Sequence, residues 1–128
     1  YHNKAKNIIA AAKIIIADFN GKVPDTMADL ITLPGVARKT ANIVLYNIFG
    51  KNEGIAVDTH VRRVTQRLGL TPNANPDKIE QDLMQLIPRN DWGKFNYLII
   101  DLGRQICHAR NPNHPECPLN KLCLSANI

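Results

Sequence analysis

Along most of this chain apolar residues return every three or four positions, the spacing of one face of an α-helix. Ile8, Ile9, Ala12, Ile15, Ile16 and Phe19 form the first such face, with Gly21 as its stop. Thr26 is placed to cap a short helix over 27–33, Pro34-Gly35 breaks it, and a second helix over 38–49 runs to Gly50. Asp58 or Thr59 starts a helix through Leu68 that Gly69 closes. Asn75-Pro76-Asp77 is a cap, a first-turn proline and an acid in order, opening a helix whose Ile79, Leu83, Leu86 and Ile87 face inward before Pro88. Asn90 or Asp91 opens the last helix, where Trp92, Phe95, Leu98, Ile99, Leu102 and Ile106 follow one face into Cys107. No stretch alternates with period two and none repeats, so the fold class is all-α.

Length and composition narrow the reading without deciding it. The chain has 128 residues, enough for one compact domain or two small ones, and 45% of them are hydrophobic, as in a globular protein. Sixteen Lys and Arg oppose 11 Asp and Glu, a net charge of +5 that favours an anionic partner such as nucleic acid. No apolar run reaches the length of a membrane span, and Tyr1-His2-Asn3-Lys4 has neither the apolar core nor the cleavage site of a signal peptide. These features predict an intracellular protein with no membrane partner, cytoplasmic and nucleoid-associated if bacterial. The chain starts without Met and enters a helical pattern at once, so an upstream segment is expected.

Chemistry concentrates at three places. In Leu33-Pro34-Gly35-Val36-Ala37-Arg38-Lys39 a glycine turn runs directly into a helix, leaving first-turn N–H groups that can hold a phosphate. A Pro-Gly turn that only joins two packed helices is the plainer alternative. Lys39 lies in the first turn, where the helix dipole and the adjacent Arg38 both work against a charged ammonium; a neutral amine there is a nucleophile. In Val57-Asp58-Thr59-His60 an apolar run delivers a carboxylate to a helix start, where it can cap the helix or stabilise developing positive charge. His60 reads as a hydrogen-bonding support, and Arg62, Arg63 and Arg67 as solvated charges with some phosphate contact.

The third place is Cys107-x6-His114-x2-Cys117-x5-Cys123, four potential ligands in a short segment stiffened by Pro112, Pro115 and Pro118. Three thiolates and an imidazole suit an iron–sulfur cluster or a structural zinc, and loss of any metal is the third option. A metal here fixes the loop so that Arg110 and Lys121 can approach phosphates.

The hairpin, the Val-Asp-Thr-His run and the cysteine spacing together resemble the endonuclease III family of helix-hairpin-helix DNA glycosylases. The family's hairpin usually ends in a second glycine, where this chain has Ala37, and its loop has a cysteine where this chain has His114. The resemblance implies a partial helical barrel over 1–52, with the hairpin motif at about 26–49, and a helical domain over 53–128 ending in the cluster loop 107–123. It implies Lys39 and Asp58 as catalytic residues, and Leu33, Gly35, Val36, Ala37, Arg38 and Arg110 as contacts to DNA. Cys107, His114, Cys117 and Cys123 then hold a 4Fe-4S cluster, with zinc or no metal as alternatives. The implied activity is removal of oxidised pyrimidines from damaged double-stranded DNA, with cleavage of the abasic strand by β-elimination, by a protein that is monomeric at full length. Family members carry further helices upstream, which cover apolar faces exposed in this chain and line the base pocket. A DNA-binding module without catalysis, and a monofunctional adenine glycosylase, are the competing readings.

Overall fold

In a computed structural model that describes residues 2–126, the chain divides into two compact units, Tyr1–Glu53 and Gly54–Ile128. All regular structure among the described residues is helical.

The first unit holds α1 (His2–Asp18), α2 (Met27–Leu30) and α3 (Arg38–Phe49). Leu30, Leu33, Ala41 and Leu45 are its buried centre, covered by Ala11, Ile14, Ile15 and Phe19 from α1 and its end. The inward face of α1 therefore differs from the one the spacing predicts: Ile15 and Phe19 pack, but Ile8, Ile9, Ala12 and Ile16 are exposed. An apolar helix offers two neighbouring stripes, and the small Ala11 lies on the one that packs. Asn20 and Gly21 both take positive φ after α1, and the Gly21 amide closes back on the Ile15 carbonyl at 3.0 Å. Thr26 caps α2 through its hydroxyl, which accepts from the Asp29 amide at 3.2 Å. The helix ends three residues before the expected Leu33, because i-to-i+3 turns take over as the chain tightens into the hairpin.

The second unit holds α4 (Thr59–Leu68), α5 (Pro76–Leu86), a 3-10 turn (Arg89–Asp91) and α6 (Trp92–Gln105). Ile55, Val57, Val61, Val64, Ile79, Leu83, Trp92 and Ile99 form its core. Asn75 caps α5 by accepting from the amides of Asp77 and Lys78, and Pro76 takes the first helical position. Leu86 and Leu98, placed inward by periodicity, are exposed, since each sits at the edge of a stripe narrower than the pattern implied. The Trp92 indole donates to the Ile87 carbonyl at 2.8 Å, satisfying an acceptor at the end of α5.

Between α4 and α5 the loop is held by Asp82, whose Oδ2 accepts from the Thr71 hydroxyl at 2.7 Å and from the Asn73 side-chain Nδ2 at 2.6 Å. The Thr71 bond first, then that of Asn73, holds this carboxyl below its ordinary value of 3.8. A depressed folded value gives stability that is present above the ordinary value and lost as pH falls through the folded one. Asp82→Asn should therefore lower the melting temperature at neutral pH, and the gap to the parent should close as the pH is taken below 3.8. A gap that stays constant across the titration would contradict this.

Candidate nucleic-acid interface and metal loop

The hairpin is built around one residue that must be glycine and one that need not be. Gly35 has φ +78°, and a Cβ added to it would come within 3.0 Å of the Asn7 side chain. Ala37, in contrast, has φ −97° and ψ 178°, ordinary extended backbone, so its replacement of the second glycine imposes no strain. Leu33 is buried, and the half-buried Val36 packs on the same core, so the hairpin's apolar side chains point inward and its backbone forms the outer surface. Ala37 is the N-cap of α3 and has no side chain to accept from the first-turn amides. That leaves a helix start open to an anion. Arg38 is half-buried and Lys39, the second helical residue, is exposed.

Asp58 is the N-cap of α4, with Oδ1 accepting from the Val61 amide at 2.8 Å, and is half-buried. One oxygen is thus committed to the helix, fixing where the other can lie. Lys39 belongs to the first unit and Asp58 to the second.

Two arginines read from sequence as solvated are in fact clamps. Arg63 donates through Nε and Nη2 to the Cys107 carbonyl at 3.1 and 3.0 Å, and through Nη2 to the Gly103 carbonyl at 2.9 Å. Its Nη2 also lies 3.1 Å from His60 Nδ1, the supporting contact expected of that histidine. A cation on the last carbonyls of α6 also meets the negative end of that helix. Arg67 donates to the carbonyls of His108 at 2.7 Å and Ala109 at 3.0 Å, and to Cys107 Sγ at 3.3 Å. Its own carbonyl accepts from Ser125 Oγ at 2.8 Å. Arg62 is exposed, beside Thr59 and Gln66 on the outer face of α4. Arg110, in the loop, is also exposed.

Cys107, His114, Cys117 and Cys123 line one cavity, closed by Leu68, Leu102 and Ile106. The enclosed space is about 20 Å³, room for roughly one water molecule. Among the described residues no three His, Cys, Asp or Glu side chains converge closely enough to hold a metal ion. The sulfurs are engaged singly instead, Cys107 Sγ by Arg67 and Cys123 Sγ by donation to the Arg67 carbonyl at 3.5 Å. By donor chemistry the set fits an iron–sulfur group or zinc, three thiols and an imidazole around a common space.

Residues 1–89 match the HhH-GPD superfamily of base excision DNA repair proteins, and residues 107–123 match the iron-sulfur binding domain of endonuclease III. The chain belongs to the HhH-GPD superfamily. Endonuclease III of Synechocystis sp. is 55% identical over 126 residues, covering 98% of this chain and 58% of the relative. Endonuclease III of Bacillus subtilis is 46% identical over 124 residues, covering 96% and 56%. A solved structure described as a non-covalent endonuclease III-DNA complex superposes with a TM-score of 0.90 at 42% identity, covering 97% of this chain and 58% of that one. The chain thus spans a little under three fifths of the length of the relatives it matches. No helix among the described residues is long and apolar enough to cross a membrane.

Two stability measurements test these assignments. Ala37→Ser supplies the missing cap to α3 and should stabilise the first unit by about 1 kcal/mol in urea unfolding; no gain would mean the N-terminal amides are already satisfied. Arg63→Met removes several charged hydrogen bonds and should cost about 2–3 kcal/mol, whereas Arg62→Met should stay within about 0.5 kcal/mol. Equal costs at the two positions would refute the clamp.

Proposed function

We propose that the protein whose sequence contains this chain is a DNA glycosylase with lyase activity, acting on damaged duplex DNA. The observation that carries the reading is an exposed lysine at the second position of a helix that starts, uncapped, from a glycine hairpin. In this reading the hairpin backbone of Leu33, Gly35, Val36 and Ala37, with Arg38, holds phosphates of the damaged strand without reading its sequence. Arg110 adds a charge from the cysteine loop. Lys39 Nζ attacks the deoxyribose C1′ and gives up a proton, the bond to the base breaks, and the base leaves with the electron pair and takes up a proton. Ring opening gives a Schiff base, and loss of a C2′ proton expels the 3′ phosphate oxygen by β-elimination. Asp58, its position fixed by the α4 cap, stabilises the positive charge that grows on the sugar as the base departs. Oxidised pyrimidines are the substrate class that the similarity to endonuclease III suggests.

The match of 107–123 to an iron-sulfur binding domain supports a cluster held by Cys107, Cys117, Cys123 and His114, of the 4Fe-4S type. When bound, such a group supplies a cross-link that fixes the loop. The imidazole in place of one thiolate should raise its potential.

Borohydride reduction on abasic DNA should trap the full-length gene product covalently. Lys39→Ala should abolish the adduct, and Asp58→Asn should slow its formation by about 100-fold or more. An adduct that survives Lys39→Ala refutes the nucleophile. Purified protein should contain iron with visible absorption, and His114→Cys should keep the iron while lowering the reduction potential. One equivalent of zinc without iron would refute the cluster in favour of a structural zinc site.

A further inference from the structure

Residues Gly54 to Val57 lead into Asp58 with no regular structure, yet Ile55, Ala56 and Val57 are buried. Buried backbone without a helix or strand needs partners from elsewhere. Two buried side chains supply them. Glu80 on α5, 4% exposed, accepts from the Ile55 amide through Oε2 at 3.1 Å. Asn96 on α6, 9% exposed, donates through Nδ2 to the Ala56 carbonyl. Burying a carboxylate is costly, and a leucine or glutamine at position 80 would fill much the same volume. What the side chain adds is a directed acceptor for the Ile55 amide, three residues before Asp58.

We infer that Glu80 and Asn96 are positioning residues for Asp58: from α5 and α6 they fix the approach of the chain, and the α4 cap then fixes the carboxylate. This rests on the catalytic reading of Asp58. The Ile55 and Ala56 bonds set the path of the backbone two residues and one residue before Val57, while the Val61 amide holds Oδ1 from the other side. With both ends held, the carboxylate has little freedom to swing, which is the order that stabilising a developing charge demands. Neither Glu80 nor Asn96 needs to touch DNA for this.

Amide hydrogen exchange on the chain tests the mechanical part. Glu80→Ala should speed exchange at Ile55 and also at Val61, roughly 10-fold or more, and Glu80→Gln should restore most of the protection at Val61. Faster exchange at Ile55 alone would overturn the inference, because Asp58 would then be held without Glu80. In the full-length gene product, Glu80→Ala and Asn96→Ala should each slow single-turnover Schiff-base trapping by roughly 10-fold or more, with DNA affinity unchanged within about twofold. In an Asp58→Asn background the same changes should add little. Losses that repeat in full on that background would mean that Glu80 and Asn96 act independently of Asp58, and would overturn the inference. Full activity in Asp58→Asn alone would remove the catalytic reading itself and the inference with it. That outcome is distinct from an active-site loss seen in Asp58→Asn but not in Glu80→Ala, which overturns the positioning role only.

Discussion

Backbone outside a helix needs partners, and among the described residues of the second unit two irregular stretches have no strand to pair them. One is the run into Asp58; the other is the start of the cysteine loop. Each is held by side chains reaching over from helices. Glu80 and Asn96 take the amide and carbonyl of Ile55 and Ala56, and Arg63 and Arg67 take the carbonyls of Gly103, Cys107, His108 and Ala109. The unit is therefore organised from its loops inward as much as from its core outward. Its helices α4 and α6 are tied together through the carbonyls where α6 ends, and Gly103 permits that approach: a Cβ there would meet Arg63 Nη2 at 3.0 Å and His60 Cβ at 3.1 Å.

The same constraint explains how charge is distributed. Of the three arginines on α4, two are consumed in holding carbonyls and one, Arg62, stays on the outer face. The net positive charge of +5 thus overstates what is available to an anionic partner. In the first unit the accounting differs. Lys39 is exposed beside uncapped helix amides, so fixed dipoles and an amine side chain converge on one short surface.

Legibility in the sequence followed the range of each interaction. Caps and stops act over a few residues, and Thr26, Asp58, Asn75, Gly50 and Gly69 all stand at helix ends where local chemistry puts them. Inward faces were less legible: Ile8, Ile9, Ile16, Leu86 and Leu98 fit the helical period and yet are exposed, because a period gives a direction only relative to the helices that happen to pack. The clamps were not legible at all. Arg63 reaches a carbonyl 44 residues on, and Glu80 an amide 25 residues back. A side chain bonded to distant backbone leaves no spacing to recognise, and in α4 those arginines look like any solvated face. Cys107, His114, Cys117 and Cys123, grouped by spacing in the sequence, lie around one cavity, but spacing carries no information on whether they converge.

The two hairpin positions differ in what they demand. At position 35 the backbone is left-handed and a side chain would press on Asn7, so identity is constrained there; at position 37 the backbone is ordinary and the side chain faces outward. In this chain the backbone at the second glycine of the pattern is therefore one that a residue with a side chain adopts without strain. The departure from the family's letters at this position is thus not a departure into strained backbone. Position 37 is then free to vary for other ends, such as how firmly the helix start competes with an incoming phosphate for its own amides.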